Sequence, residues 1–273
     1  MTDTVIAAPL DPPTPVVRKD VRRRKIGVAP FLNAQPLIYG LAPYHDLPAL
    51  APNAMAKALK EGSLDVALAP VVASFLNPEL PIIPVAAVGS KGAVRTVRIL
   101  SNGAPQGIKR LFVDDRSQTS VLQSRLTLKK WFGVKDLEVT PVVMGAFKPG
   151  QTKPWEAVLQ FGDNALVSAP TGMTVTDLGE EWLRYTGKPF VNAVWLARDA
   201  QTAEEMKDQL AEAKAEGLKH LDEILAGYHG IWQFKHADAK SYLETNIRYD
   251  YGEEEQAGQA EFRKLLKEEG LLE

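Results

Sequence analysis

No cysteine occurs anywhere in the 273 residues, so the chain can form no disulfide, no thiolate metal site and no cysteine nucleophile. Histidine is nearly as scarce. The four present, His45, His220, His229 and His236, show no metal-ligand spacing, and roles in the core or on the surface explain them. No stretch approaches the roughly 18 uninterrupted apolar residues of a membrane span. The N-terminal MTDTVIAAPLDPPTPVV lacks the basic start and apolar centre of a secretory signal. An excess of one charge is also missing. With 32 Lys and Arg against 34 Asp and Glu, the formal net charge is -2, which gives no reason to expect a nucleic acid or an anionic membrane as partner. P-loop, G-x-G-x-x-G, H-E-x-x-H and G-x-S-x-G motifs are absent. These absences lead us to expect a cytoplasmic protein with no metal and no cofactor, preceded by a disordered, Pro-rich tail over residues 1–21.

What remains is an ordinary globular balance. Hydrophobic residues make up 45% of the chain and charged ones 24%, enough to bury a sizeable core in two lobes or one large domain. Strand and helix patterns alternate, which predicts an α/β class with largely parallel sheets. KIGVAPF (25–31) reads as the first strand, entered from a basic run, RKDVRRRK (18–25), that reads as a solvated lead-in. Residues 53–61 read as a short helix closed at Gly62. LDVALAP (64–70) reads as a strand buried on both faces, and VVASFL (71–76) as another short helix. Strands follow at 80–88 and 94–100.

A second unit then begins with the strand IKRLFVDD (108–115) and a helix over 117–133. On that helix Val121, Leu122, Leu126, Lys129 and Phe132 share one side. LEVTPVVM (137–144) reads as a strand, WEAVLQF (155–161) as a short helix, and NALVSA (164–169) and PFVNAVWLAR (189–198) as strands. Thr202 and Glu205 form a capping box ahead of a helix reaching about Leu225, and a last helix covers roughly 253–269. The pairs at Glu180-Glu181 and Glu253–Glu255 read as solvated faces. The order of elements predicts a first lobe from 22–101 plus 191–273 and a second from 102–190, with crossings near Ser101 and Val191. Two crossings around a central ligand cleft describe the periplasmic-binding-protein fold of the second type.

Several residues could carry chemistry. Asn33 falls just past the carboxyl end of the first strand, where open α/β sheets place ligands; a turn or capping Asn is the alternative. In DDRSQTSV (114–121) the hydroxyls of Ser117, Thr119 and Ser120 accompany the unpaired N–H groups of a helix start, a combination suited to a carboxylate and equally to plain N-capping. Thr96 lies in a strand near the crossover, and Asp163 in a turn before one; ordinary β-structure and an ordinary turn acid are the bland alternatives.

Six pieces, FLNAQPLIYGL (31–41), GSLDVALAP (62–70), GSKGAVRTV (89–97), DDRSQTSV, GDNAL (162–166) and EWLRYTGKPFVNAVW (181–195), together resemble the chorismate dehydratases of the futalosine route to menaquinone. The resemblance covers Lys25 to Arg198 in order and spacing. It implies the two-lobed fold above and a hydro-lyase reaction in which chorismate loses water to give 3-[(1-carboxyvinyl)oxy]benzoate, the first step of that route. By the same resemblance Asn33 and Thr96 are catalytic, Thr96 standing at a family Ser. Ser117, Thr119, Ser120 and Asp163 are expected to bind substrate. Three positions depart from the pattern: Gln118 where the family usually has Arg, Pro70 where it has Ser or Thr, and Ala73 where it often has Glu.

The chemistry suits a site without a strong base. Loss of a vinylogously acidified ring proton and the neighbouring hydroxyl leaves an aromatic ring, so the protein must chiefly position the substrate and clamp its carboxylates. The expected partner is chorismate alone, with a homodimer left open. The alternatives are the related dihydroxynaphthoate synthase, which relies on a cleft His that VVMGAFKPG (142–150) lacks, and a non-catalytic small-carboxylate-binding protein.

Overall fold

The computed structural model describes residues 22–114, 116–142, 152–166, 169, 171–228 and 235–273. The tail expected over 1–21, most of VVMGAFKPG, and His229 lie outside them. The protein is α/β with two sheets, and the chain divides into two compact units. The first ends at Val88 and resumes over Ala193–Tyr251; the second comprises Gly89–Asn192 and Gly252–Glu273.

The first unit is built on β1 (Ile26–Gly27), β2 (Val66–Pro70), β3 (Ile82–Ser90) and β9 (Phe190–Ala197), in the order β1-β2-β9-β3. β1 runs parallel to β2, with Ile26 opposite Val66, and β9 runs antiparallel to it, with Pro70 opposite Ala193. All five residues of β2 are buried, which is why VALAP is continuously apolar rather than alternating. Helix α6 (Ala200–Lys219) buries Thr202, Met206, Leu210, Ala213 and Gly217, a stripe at helical spacing. It packs on α1 (Gln35–Ile38) so closely that a Cβ at Gly217 would lie 2.0 Å from the Pro36 carbonyl oxygen.

The second unit is a five-stranded sheet in the order β6-β5-β7-β4-β8, formed by β4 (Val97–Ser101), β5 (Arg110–Val113), β6 (Glu138–Pro141), β7 (Glu156–Phe161) and β8 (Thr174–Asp177). Its aromatic core joins α5 (Leu178–Thr186) to α9 (Glu253–Glu268): Trp182, Phe190 and Phe262 meet edge to face at centroid distances of 4.9–5.7 Å. Each such ring contributes a few kcal/mol by burial. Among the described residues no helix is long and apolar enough to cross a membrane.

Several expectations need correction. The first crossing falls at Val88–Gly89 rather than near Ser101, because β4 is paired on both sides within the second sheet, with β7 and β8. Residues 252–273 belong to the second unit, not the first, because Phe262 on α9 fills the aromatic core there. WEAVLQF is the strand β7, not a helix; it is central in its sheet and almost wholly buried, and tertiary pairing overrides the helix propensity of Glu, Ala and Leu. Asp163–Leu166 is a 3-10 turn rather than the start of a strand.

The helix starts also differ. Asp199, not Thr202, caps α6 by accepting the Thr202 N–H at 2.7 Å, and that helix stops at Lys219 before a separate α7 (Leu221–Gly227). On α4 (Gln118–Leu126) the buried face carries Thr119, Ser120, Gln123 and Ser124, while Val121 and Leu122 are half-buried.

Two charged residues expected at solvated positions are buried. Arg24 of the basic run is 3% exposed and paired with Asp65 and Glu205. Glu255, assigned to a solvated face, is 2% exposed and accepts the Gly252 N–H at 2.9 Å.

Candidate functional site

In the first unit, β1 and β2 are parallel, so the segments that follow them leave the sheet at one end. Asn33 follows β1 in a 3-10 turn, Leu32–Ala34, that runs directly into α1, with Pro36 in its first turn. Pro70 ends β2 and Ala73 lies buried in α3 (Val71–Leu76). Asn33 caps nothing: the turn has no side-chain cap, and the amide instead donates through Nδ2 to Tyr242 Oη at 3.1 Å, 209 residues further along. The local-turn reading of Asn33 therefore fails. Tyr242 is fully buried and opens a single π-helical turn, Tyr242–Asn246, closed by the Ile247 N–H on its carbonyl. Asn33 itself is half-buried, and among the described residues its Oδ1 makes no hydrogen bond.

Tyr242 is the residue that sequence reasoning missed. Nothing in SYLETN marks a π-turn, and a tyrosine at helical spacing reads as core.

In the second unit, the register brings four chain segments to one end of the sheet. β5 and β7 are parallel, while β4 is antiparallel to β7, with Val97 opposite Phe161, and β8 is antiparallel to β4, with Arg98 opposite Asp177. Thus the residues just before β4 (Arg95, Thr96), just after β7 (Asp163), after β5 (up to Ser117 and α4) and at the end of β8 (Asp177) leave together. This is the carboxyl end of the parallel strands, where α/β sheets bind ligands.

The hydroxyls at that end are buried. Ser117, Thr119 and Ser120 are 8%, 2% and 3% exposed. Ser117 stands at the N-cap of α4 yet makes no cap bond; its hydroxyl donates to Ser120 Oγ at 2.8 Å. Ser117 thus does not cap the first turn of α4, a helix start whose dipole favours an anion. Arg116 is already committed, forked onto Asp114 with a shortest contact of 2.6 Å. Thr96 is buried, its hydroxyl donating to the Val94 carbonyl at 3.3 Å. Asp163 is buried at the start of its 3-10 turn.

Asp177 fixes the loop before Thr96. It accepts the Val94 and Arg95 N–H groups at 3.0 and 2.7 Å and caps α5 through the Gly179 and Glu180 N–H groups. Burial lowers the Arg98 pKa from its usual value, Asp177 offsets part of that, and the charge of Arg95 adds to it.

Structure therefore gathers Thr96, Ser117, Thr119, Ser120 and Asp163 at one end of the second unit's sheet. Asn33 stands on the first unit, at the equivalent carboxyl end of its own. His45 is structural: it is 1% exposed, with Nδ1 taking the Arg24 N–H at 3.2 Å and Nε2 on Gln209 Oε1 at 3.0 Å. Among the described residues no group of three or more His, Cys, Asp or Glu is placed to hold a metal ion.

Known structures share this architecture at low identity. Protein AF1704 from Archaeoglobus fulgidus is 16% identical, with a TM-score of 0.73 over 92% of this chain and 98% of its own. The periplasmic aliphatic sulphonate binding protein SsuA of Escherichia coli is 16% identical, with a TM-score of 0.62 over 93% and 94%. The Candida albicans CA3427 gene product, described as exhibiting the generic periplasmic binding protein fold, is 15% identical, with a TM-score of 0.59 over 92% and 91%. The chain is thus an α/β protein of the periplasmic-binding-protein fold. It belongs to the menaquinone-biosynthesis family, whose model matches residues 24–268.

Proposed function

We propose that the protein is the chorismate dehydratase of its pathway, acting in the cytoplasm. It removes water from chorismate to give 3-[(1-carboxyvinyl)oxy]benzoate. The observation that carries the reading is the family match, which spans residues 24–268 and so includes every candidate residue from Asn33 to Asp163. The site chemistry supports it. Chorismate carries two carboxylates, and the start of α4 offers hydroxyls and a helix N-terminus that Ser117 does not cap, suited to one of them. Asn33 offers a neutral amide, steadied at one edge by Tyr242, that can hold the departing hydroxyl without adding charge.

In the proposed step the C–H bond beside the hydroxyl-bearing carbon breaks, its electrons enter the ring, and the C–O bond to the hydroxyl breaks. The proton and hydroxide leave as water. The side-chain carboxylate of the substrate can accept the proton, so the protein's part is orientation and carboxylate binding.

Incubation of purified protein with chorismate, followed by chromatography and mass analysis, tests this. The expected product is lighter than chorismate by one water and has an aromatic absorbance. Recovery of unchanged chorismate under conditions where it binds would leave a binding protein instead.

A further inference from the structure

Arg95 has φ +61°, a left-handed backbone conformation that among the described residues only Asp136 shares outside glycine. Aspartate tolerates this region through local side-chain bonds, whereas a long, unbranched side chain has no such compensation. The conformation is held from outside: both oxygens of Asp177 clamp the N–H groups of Val94 and Arg95. Such over-determined strain is kept where it places something.

What it places is a guanidinium. Arg95 is half-buried, yet among the described residues its side chain has no hydrogen bond and no ion pair. Three other arginines are matched, Arg24 by Asp65 and Glu205, Arg110 by Glu138 and Glu156, and Arg198 by Asp65 and Asp199. Arg125 on α4 is half-buried and unmatched among the described residues, but its backbone is ordinary helix. Arg95 also directly precedes Thr96, at the end of the sheet where the uncapped start of α4 and the Ser117–Ser120 hydroxyls emerge. Its neighbour Arg98 adds a second cation, held through Nε on Gln160 at 3.1 Å.

We infer that Arg95 is the specificity residue that pairs with a carboxylate of the substrate, forking onto it beside the start of α4. This deepens the dehydratase reading and rests on it for the identity of the substrate. A planar guanidinium matches a carboxylate through two parallel hydrogen bonds, and an ammonium cannot reproduce that geometry. The clamp fixes the point at which the side chain leaves the backbone, at the end of the sheet where α4 begins.

The experiment is a comparison of Arg95→Gly, Arg95→Gln and Arg95→Lys by thermal unfolding, by calorimetric titration with chorismate and by product formation. Glycine relieves the left-handed strain while deleting the cation. Arg95→Gly should therefore melt no lower than the wild type while its Kd for chorismate rises at least about tenfold, as expected for lost charged hydrogen bonds. Arg95→Gln should bind as weakly, and Arg95→Lys should fall between it and the wild type. KM should rise with Kd, and kcat should change less. A lower melting temperature in Arg95→Gly with unchanged Kd would make Arg95 structural and overturn the inference, as would wild-type Kd in all three variants. A wild type that binds chorismate, loses it on these substitutions, yet forms no product supports the inference and overturns the dehydratase reading. A wild type that fails to bind chorismate overturns both.

Discussion

Asn33 and Tyr242 show how a site residue is fixed by distance in sequence rather than by its own turn. The 3-10 turn at Asn33 needs no asparagine for capping, and the amide is instead held by a phenol whose burial is complete. A Phe at 242 would pack as well, so the hydroxyl is there to bond. Asn33→Leu keeps the volume and deletes the hydrogen bonds; it should lower kcat by roughly 10²–10³ with most of the protein still folded. Tyr242→Phe should cost about tenfold in kcat with KM and melting temperature nearly unchanged, since it loosens the amide without removing it. In the double variant the two effects should not add, because Tyr242 acts through Asn33. Additive losses would separate them.

Glu181 shows a residue effect of the opposite kind. It is half-buried on α5, and burial raises its pKa; Arg184 works against this, and the nearby Glu180 and Asp177 add to it. Arg184 Nη2 lies 2.9 Å from Oε2, near enough for an ion pair yet not aligned as a hydrogen bond. A carboxyl with a raised pKa in the fold stabilises fully below the ordinary carboxylate range, and that contribution is lost as pH rises through the raised value. Glu181→Gln should therefore melt above the wild type near pH 7 and level with it at about pH 3, below the ordinary carboxylate range. A melting difference that is flat with pH would assign the effect to packing instead.

At the scale of elements, the strands β2 and β9 and the helices α2 (Met55–Lys60), α3 and α9 were legible, because continuous apolar runs and helix-length charged segments state their own environment. β7 was not. EAVLQF has good helix formers, and only its place between β5 and β4 makes it a strand. The buried polar face of α4 was equally hidden, since hydrophobic periodicity looks for Val121 and Leu122 and passes over Ser120, Gln123 and Ser124. Gln123 earns its burial by donating to the Leu178 carbonyl at 3.0 Å, a bond no periodicity foretells. The candidate site was legible as segments: the hydroxyl cluster and Asn33 stand where strands end. Tyr242 and the clamp by Asp177 were not, because both act across more than 80 residues.

That clamp gives the prediction for elements. Asp177 caps α5 and holds the Val94–Arg95 loop with the same carboxylate. Loss of an N-cap alone costs roughly 1 kcal/mol, and two further N–H groups would lose their acceptor. Asp177→Ala should lower stability by about 2–4 kcal/mol in denaturant titration and weaken chorismate binding as well, because the loop carries Arg95 and Thr96. Stability loss with unchanged binding would show that the loop holds its shape without the clamp.

On the scale of the whole molecule, the question is which unit owns the C-terminal helix. Sequence order alone attaches α9 to the first unit, as the continuation of the segment that begins at Ala193. The fold sends it to the second, where Phe262 meets Trp182 and Phe190. Gly258 makes that docking close: a Cβ there would lie 2.0 Å from the Pro189 carbonyl oxygen, a backbone atom that cannot swing aside. Two effects therefore compete in Gly258→Ala. Helix propensity favours alanine by about 1 kcal/mol, whereas overpacking against backbone typically costs 1–3 kcal/mol or more. The contact is far inside any normal separation, so the clash should win and the variant should be less stable. Hydrogen exchange would locate the loss. Faster exchange should appear in peptides from 97–114, 156–166, 178–190 and 253–268, while those from 55–76 and 200–227 keep their wild-type protection. Loss of protection concentrated in α6 and β2 would instead return α9 to the first unit and overturn the division of the chain.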